Sequence, residues 1–434
     1  MSEATQPRRR GILSSVGPAI ITASVVLGPG SILSSSKIGF LYGYQMIWVL
    51  AIAVALMIGM TALSARLGIL LEGTLCDELA RRANRPVAAL TGISLFLIAA
   101  CFQFSNNIGV VLAIEPFLDE GNTTLPIIVI VGVNILVVVA LLGFKTLYAN
   151  VERLMKILVG VMTIGFATNL IFAKPDLMEL LGGLVPSFPE GTGNNILPVW
   201  TDGKVSDNMF PAVAMIATTF SIGAAFYQSY LVQQKGWGKE ELKQGFIDST
   251  LGILILGGIT LMILVTAASV LHSNENVTLT SAADVARQLQ PLFGSLATWL
   301  FCLGIFAGAF SSFLVNAMIG GSILSDGLGF GGYMEQKGPK ICTILALVIG
   351  MGVAIWIQYT GQKPVNLIIF AQAMTVLGVP LLAAVMLWLA TRSDMVGERS
   401  IPTWMIVNGW IGLALASFLA LRTAVKLLLP LIHG

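Results

Sequence analysis

A chain of 434 residues that is 56% hydrophobic and only 11% charged lies far from the quarter-charged make-up of a soluble domain. Apolar runs of about 20 residues, one per helical crossing of a bilayer, recur from end to end and leave no room for a separate soluble domain. A net charge of +2 is too small to point to a nucleic-acid partner, so the partners to expect are the lipid bilayer and a small ion or small molecule.

Hydropathy, cut at polar and Gly/Pro clusters, predicts eleven spans: 13–39, 45–69, 87–114, 125–143 and 153–173, then a polar stretch over 174–208, then 209–233, 249–272, 292–323, 340–359, 365–391 and 402–421. Arg8, Arg9 and Arg10 precede the first apolar run. That run has no small-residue cleavage site, so no cleaved signal peptide is expected. With the N-terminus in the cytoplasm, 17 of the 24 basic residues fall inside, among them Arg81, Arg82, Arg85, Lys145, Lys235, Arg392 and Arg399. Lys37, Lys174, Lys204, Arg287, Lys363, Arg422 and Lys426 fall outside, and the positive-inside rule favours this orientation. The location to expect is a plasma membrane or prokaryotic inner membrane. Cys76, Cys101, Cys302 and Cys342 stand far apart and read as unpaired small apolar residues.

The chain is organised around VVLGPGSILSSSKIG, Val25 to Gly39, in the middle of the first span. Pro29 donates no N–H and Gly28 and Gly30 weaken a helix, so the hydrogen-bond ladder is predicted to break there. Broken backbone at bilayer depth survives only inside protein or beside a polar cavity, which makes Gly28, Gly30 and Ser31 candidate substrate-binding residues. A second interruption is predicted in the sixth span, FSIGAAFYQSYLV, with Ser221, Gly223 and Gln228 as candidates. Breaks in spans one and six, each opening a block of five, imply an all-α membrane protein of two inverted five-helix repeats, about 13–173 and 209–391, plus a terminal helix at about 402–421.

Other polar residues at membrane depth fall in spans three, eight and ten. Gln103, Asn106 and Asn107 share one face of the third span, where they can form an interhelical seam or line a cavity. Ser311, Ser312 and Asn316 in the eighth span and Gln372 and Thr375 in the tenth can line a polar path, while Gly304, Ala307, Gly308 and Ala309 read as close helix packing. Glu152 and Glu240, near basic residues, read as solvated helix ends. All 22 acidic residues fall near span ends, in connections or in tails. His272 and His433 are likewise peripheral, so no group is placed to relay protons through the core.

The stretch WLFCLGIFAGAFSSFLVNAMIGGSILSDGLG, Trp299 to Gly329, resembles the eighth helix and following loop of the NRAMP (natural resistance-associated macrophage protein) family of proton-coupled divalent-metal transporters. ERLMKILVGVMTIGF in the fifth span, the connection between spans six and seven, and FAQAMTVLGVPLLAAVMLWLATRSDMVGE in the tenth resemble the same family, so the likeness covers nearly the whole chain. It implies an eleven-span broken-helix transporter. The family's metal-binding Asp-Pro-Gly-Asn is here Gly28, Pro29, Gly30 and Ser31, and its Met-Pro-His falls near Ser221, Ile222 and Gly223. Its acidic pair matches Gln103 and Asn106, and Gln372 is the site residue that is kept.

Loss of the soft thioether removes a reason to prefer manganese or iron over magnesium. Loss of carboxylates removes the charge that offsets dehydration of a divalent ion. Three readings therefore stand. One is a divalent-cation transporter using Ser31, Ser221, Gln372, Asn106 and backbone carbonyls. Another is a carrier of a neutral or carboxylate-bearing solute, received by N–H groups after the first break. LGPGSIL also resembles the glycine-rich first-helix motif of amino-acid carriers. The last is a non-transporting membrane sensor or scaffold. No enzymatic constellation is present in the sequence, and no cofactor is expected. Proton coupling, uniport and sodium held by carbonyls at a break remain equal alternatives.

Overall fold

The computed structural model describes residues 17–118, 124–143, 147–189, 196–201, 203–272, 282–360, 364–393 and 401–433. Arg8, Arg9, Arg10, Lys145, Lys363 and Arg399 of the orientation argument lie outside the described residues. Among the described residues, ten helices are long and apolar enough to cross a bilayer, and a bent pair, Pro18–Val26 with Pro29–Tyr42, makes an eleventh span. The remaining spans, two to eleven, run Ile47–Leu70, Arg85–Ile114, Thr124–Gly143, Leu147–Ala173, Phe210–Gln234, Leu242–Leu271, Ala282–Leu328, Lys337–Thr360, Pro364–Ala390 and Thr403–His433. Every predicted span is present. Several helices run further than the apolar stretch that announced them, because helix continues through polar residues at its ends.

The first span breaks where the chemistry requires it. Its ladder stops at the Leu27 N–H to Ala23 bond. Gly28 is extended, with φ −80° and ψ 179°, and helix restarts at Pro29, a position that suits a residue with no N–H. The two halves meet at 57°. In the sixth span the break falls at Phe220 and Ser221, between Phe210–Thr219 and Ile222–Gln234. Gly223 sits within the first turn of the second half and is not itself the breaker. The tenth span, predicted as continuous, narrows to a 3-10 turn at Thr375–Leu377 before helix resumes at Val379. Pro380 explains this, since it offers no N–H to the carbonyl one turn before it.

Span eight is the hub, packing most extensively on span three and then on spans nine and five. Its small residues serve close approach: the absent Cβ of Gly308 would stand 2.5 Å from the Leu27 carbonyl, and that of Gly304 3.1 Å from the Phe166 ring. Spans four and eleven are the least buried. On span five, Ile157, Ile164 and Ile171 are exposed seven residues apart, as a lipid-facing stripe requires.

Polar ties close both ends of the bundle. Between spans two and three, the helix Leu75–Arg82 is capped by the Thr74 hydroxyl, which accepts from the Asp77 N–H at 3.1 Å and donates to Asp326 at 2.6 Å. Tyr230 donates to the same Asp326 oxygen at 2.5 Å. Burial first, and then Asp326, push the Cys76 thiol far above its ordinary range, so it behaves as an apolar filler. At the opposite end, Asp207 pairs with Arg422 and, at 3.3 Å, with Lys426, tying the 174–208 connection to the last span. That connection carries a short helix, Leu177–Gly182, and a hairpin, Val199–Thr201 with Lys204–Ser206. Glu152 is not a solvated helix end: it is buried and joins Lys156 at 2.8 Å and Lys235 at 2.6 Å. Glu240 is exposed, as expected.

Candidate substrate site at the helix breaks

Spans three, eight and ten press polar side chains onto the first break, and the two glycines make room for them. A Cβ at Gly28 would stand 2.6 Å from the Ser312 hydroxyl and 3.1 Å from the Asn106 carboxamide oxygen. The place of a Cβ at Gly30 is already filled by the side-chain amide of Gln372. Gly109 lets span three approach in the same way, since Pro29 occupies the space beside it. Gly28 and Gly30 therefore permit contact as well as breaking the helix.

Gln372 donates to the Ser105 hydroxyl at 3.1 Å, while its Oε1 is buried without a partner. Asn106 donates to Gln103 Oε1 at 3.3 Å, and Gln103 Nε2 is likewise unpartnered. The Ser31 hydroxyl, one residue past Gly30, is buried and unpartnered. Buried polar groups are almost always satisfied, so unpartnered groups beside unsatisfied backbone mark a place where water or a ligand belongs. The structure thus brings together Gly28, Gly30, Gln103, Asn106 and Gln372, with Ser31 adjoining. Ser105 and Ser312 join this region without having been singled out as binding residues from sequence. The Thr219 hydroxyl, next to the sixth-span break, is buried and unpartnered.

Ser221 stays at the second break, while Gly223 and Gln228 turn to other partners. Ser221 is half-buried at the start of the second half-helix, and Gly223 faces Leu95 of span three, whose Cδ1 would lie 2.7 Å from a Cβ. Gln228 belongs to a separate group. It accepts from Thr22 at 2.6 Å and donates to Asp248 at 3.3 Å. Asp248 in turn accepts the N–H groups of Gly17 at 2.6 Å and Ala19 at 2.9 Å, holding the start of span one. The polar face of span three divides as well: Asn107 accepts from Asn134 of span four at 2.7 Å and forms the interhelical seam, leaving Asn106 and Gln103 to the break.

The group at the break carries neutral oxygens and amides, without carboxylate, imidazole or thioether among its members. No group of three or more His, Cys, Asp or Glu that could hold a metal occurs among the described residues. Such a donor set suits hydrogen bonding or a weakly held hard cation. Gly30→Ala is expected to evict the Gln372 amide at a cost of about 1–3 kcal/mol. The side chain can swing away, so folding should survive while substrate binding falls at least about tenfold, a loss of some 1.4 kcal/mol. Thermal unfolding and a binding titration on the same preparation check both halves.

The sequence profile of the Natural resistance-associated macrophage protein-like family matches residues 19–426. The chain is 23% identical over 419 residues to the divalent metal cation transporter MntH of Klebsiella pneumoniae (strain 342), covering 95% of this chain and 94% of that one. The crystal structure of the Eremococcus coleocola manganese transporter superposes with a TM-score of 0.76 at 17% identity, over 97% of this chain and 88% of that chain. MhsT in complex with L-phenylalanine shares the fold more distantly, with a TM-score of 0.55 at 15% identity over 90% of this chain and 98% of that one. With its bent first span, ten further described helices long and apolar enough to cross a bilayer, and a family match over nearly its whole length, the chain belongs to the natural resistance-associated macrophage protein-like family of integral membrane transporters.

Proposed function

We propose that the protein is a secondary transporter that works by alternating access, moving two five-helix repeats, about 13–173 and 209–391, around the broken first span, with the helix at about 402–421 outside the pair. The observation that supports this reading is the convergence of Gln372 and Asn106 on the Gly28–Gly30 backbone, with Gln103 bonded to Asn106 and unpartnered polar atoms among them. Non-helical backbone with such neighbours has a use at a substrate site and little elsewhere in a bilayer. With the N-terminus in the cytoplasm, as the distribution of basic residues favours, the Asp248, Gln228 and Thr22 group lies on the inner side and acts as its latch.

The cargo that the family implies is a divalent metal cation. Ser31, Ser221, Gln372 and Asn106, with carbonyls beside the breaks, are the ligands available to it, and with neutral ligands alone the ion would keep much of its water. A second reading is favoured by the mixture of free donors and acceptors, Gln103 Nε2 against Gln372 Oε1, with the Ser31 hydroxyl able to act as either. That mixture suits a small polar or carboxylate-bearing solute received at the N-terminus of the second half-helix.

Titration calorimetry of the purified protein with magnesium, manganese and calcium, beside a panel of small carboxylates and amino acids, tests the two. Saturable metal binding weakened by Ser31→Ala supports a divalent cargo. Silence toward every metal with a saturable response to an organic solute replaces it by the second reading. Silence toward all of them, repeated in proteoliposome uptake, would overturn the transporter reading.

A further inference from the structure

We infer that the junction between the end of the first half-helix of span one and span eight is a binding site for a small monovalent cation, sodium by size and hardness. The half-helix Pro18–Val26 ends in mid-bundle, and the carbonyls of Ser24 and Val25 lose the amide partners that a continuous helix would supply. They form the negative end of a helix dipole, and its last turn carries no basic residue. Span eight meets them with two hydroxyls. Ser311 Oγ lies 3.1 Å from the Ser24 carbonyl and 3.0 Å from the Gly308 carbonyl, and Ser312 Oγ lies 2.7 Å from the Val25 carbonyl. Asn316 Nδ2 donates to Ser312 Oγ at 2.9 Å and fixes its position. Ser24, Ser311 and Ser312 are buried.

Five oxygens from two spans, three carbonyl and two hydroxyl, are thus linked by contacts of 2.7–3.1 Å. Neutral oxygens suit hard cations and exclude the softer transition metals. The charge available decides the valence: a helix end supplies roughly half an elementary charge, and none of the five oxygens is a carboxylate. That offsets much of the charge of a monovalent ion and leaves a divalent one mostly uncompensated. An arriving ion would take the place of the hydroxyl protons, which turn away while both oxygen atoms stay. Gly308 keeps the two spans in contact at this point, because any side chain there would strike the Leu27 carbonyl.

Binding at this junction stands without the transport reading. Its use as a coupling site rests on that reading, because the ion would join a half-helix that must move to the span it moves against. It would also supply a coupling ion to a membrane interior that offers no histidine or mid-span carboxylate for a proton.

The test is thermal unfolding of the purified wild type as sodium chloride replaces choline chloride at constant ionic strength, with potassium chloride as the size control. The expected result is a saturable rise of about 2–4 °C in sodium, abolished in Ser311→Ala/Ser312→Ala and kept in Ser311→Thr and Ser31→Ala. Equal melting in sodium and choline at every concentration would overturn the proposal, as would an undiminished rise in the folded double variant. An equal rise in potassium would overturn the assignment to sodium. Should the double variant fail to fold, saturable binding of radioactive sodium to the wild type, competed by sodium and not by choline, decides the matter, and its absence overturns the site. The solute titrations are run in choline, so failure of either inference leaves the other readable.

Discussion

Asp248→Ala is expected to loosen the start of span one and to lower stability by about 3–5 kcal/mol. The side chain is fully buried and accepts three hydrogen bonds, from the Gly17 and Ala19 N–H groups and from Gln228. Both amides belong to the first turn of a helix, where no carbonyl precedes them in the ladder, and Pro18 between them has no N–H to satisfy. An ionised acceptor at a helix N-terminus also meets the positive end of the dipole. Removing the carboxylate strands two amides and the Gln228 donor away from water. Asn at 248 retains one acceptor oxygen and should fall between wild type and alanine. The neighbouring Glu152 pair with Lys235 survives either change, since it does not use Asp248. Thermal unfolding gives the stability change. Labelling of an introduced Thr22→Cys, beside Gln228, should quicken about tenfold as the latch opens, equivalent to about 1.4 kcal/mol. Wild-type melting and labelling in Asp248→Ala would show the latch to be energetically silent.

What the sequence disclosed depended on how local the cause was. Eleven spans and the first break follow from runs of apolar residues and from one proline between two glycines, all within a few positions of each other. The sixth-span interruption expected over Ser221 and Gly223 falls at Phe220 and Ser221, and Gly223, the more obvious local signal, lies in the first turn of the new half-helix and breaks nothing. The turn at Thr375–Leu377 had its cause in plain view, Pro380, yet the surrounding apolar stretch masked it.

Burial was the less legible property. Asp248 and Asp326 do stand near helix ends, as their positions suggest, yet both are fully buried. Their partners, Gly17 for Asp248 and Thr74 for Asp326, lie 231 and 252 residues away in sequence. Gln228 was grouped with the central candidates by its place in the sixth span, whereas its bonds to Thr22 and Asp248 set it in the latch. Gln103 and Asn106 share a helix face with Asn107, but only the arrangement of spans four and eight could divide that face between seam and break.

Restoring the family's acid should turn the break into a metal site, and the geometry dictates how. Gly28→Asp with Ser31→Asn supplies the carboxylate and carboxamide that Asp-Pro-Gly-Asn would present. The new Cβ at position 28 would meet Ser312 Oγ at 2.6 Å and Ser312 Cβ at 2.9 Å, both too close for carbon. Ser312→Ala removes only the first of these contacts, so Ser312→Gly is the change that makes room. The triple variant is therefore expected to bind manganese at least about tenfold more tightly than wild type, a gain of some 1.4 kcal/mol, with the Gly28→Asp/Ser31→Asn pair alone held back by the clash. One carboxylate adds charge but no softness, so magnesium should gain nearly as much. A preference for manganese should then require Ser221→Met, which returns a thioether to the sixth-span break. Calorimetry with both metals on each folded variant separates these steps, and a triple variant that gains nothing would remove the first break as the position of the cargo.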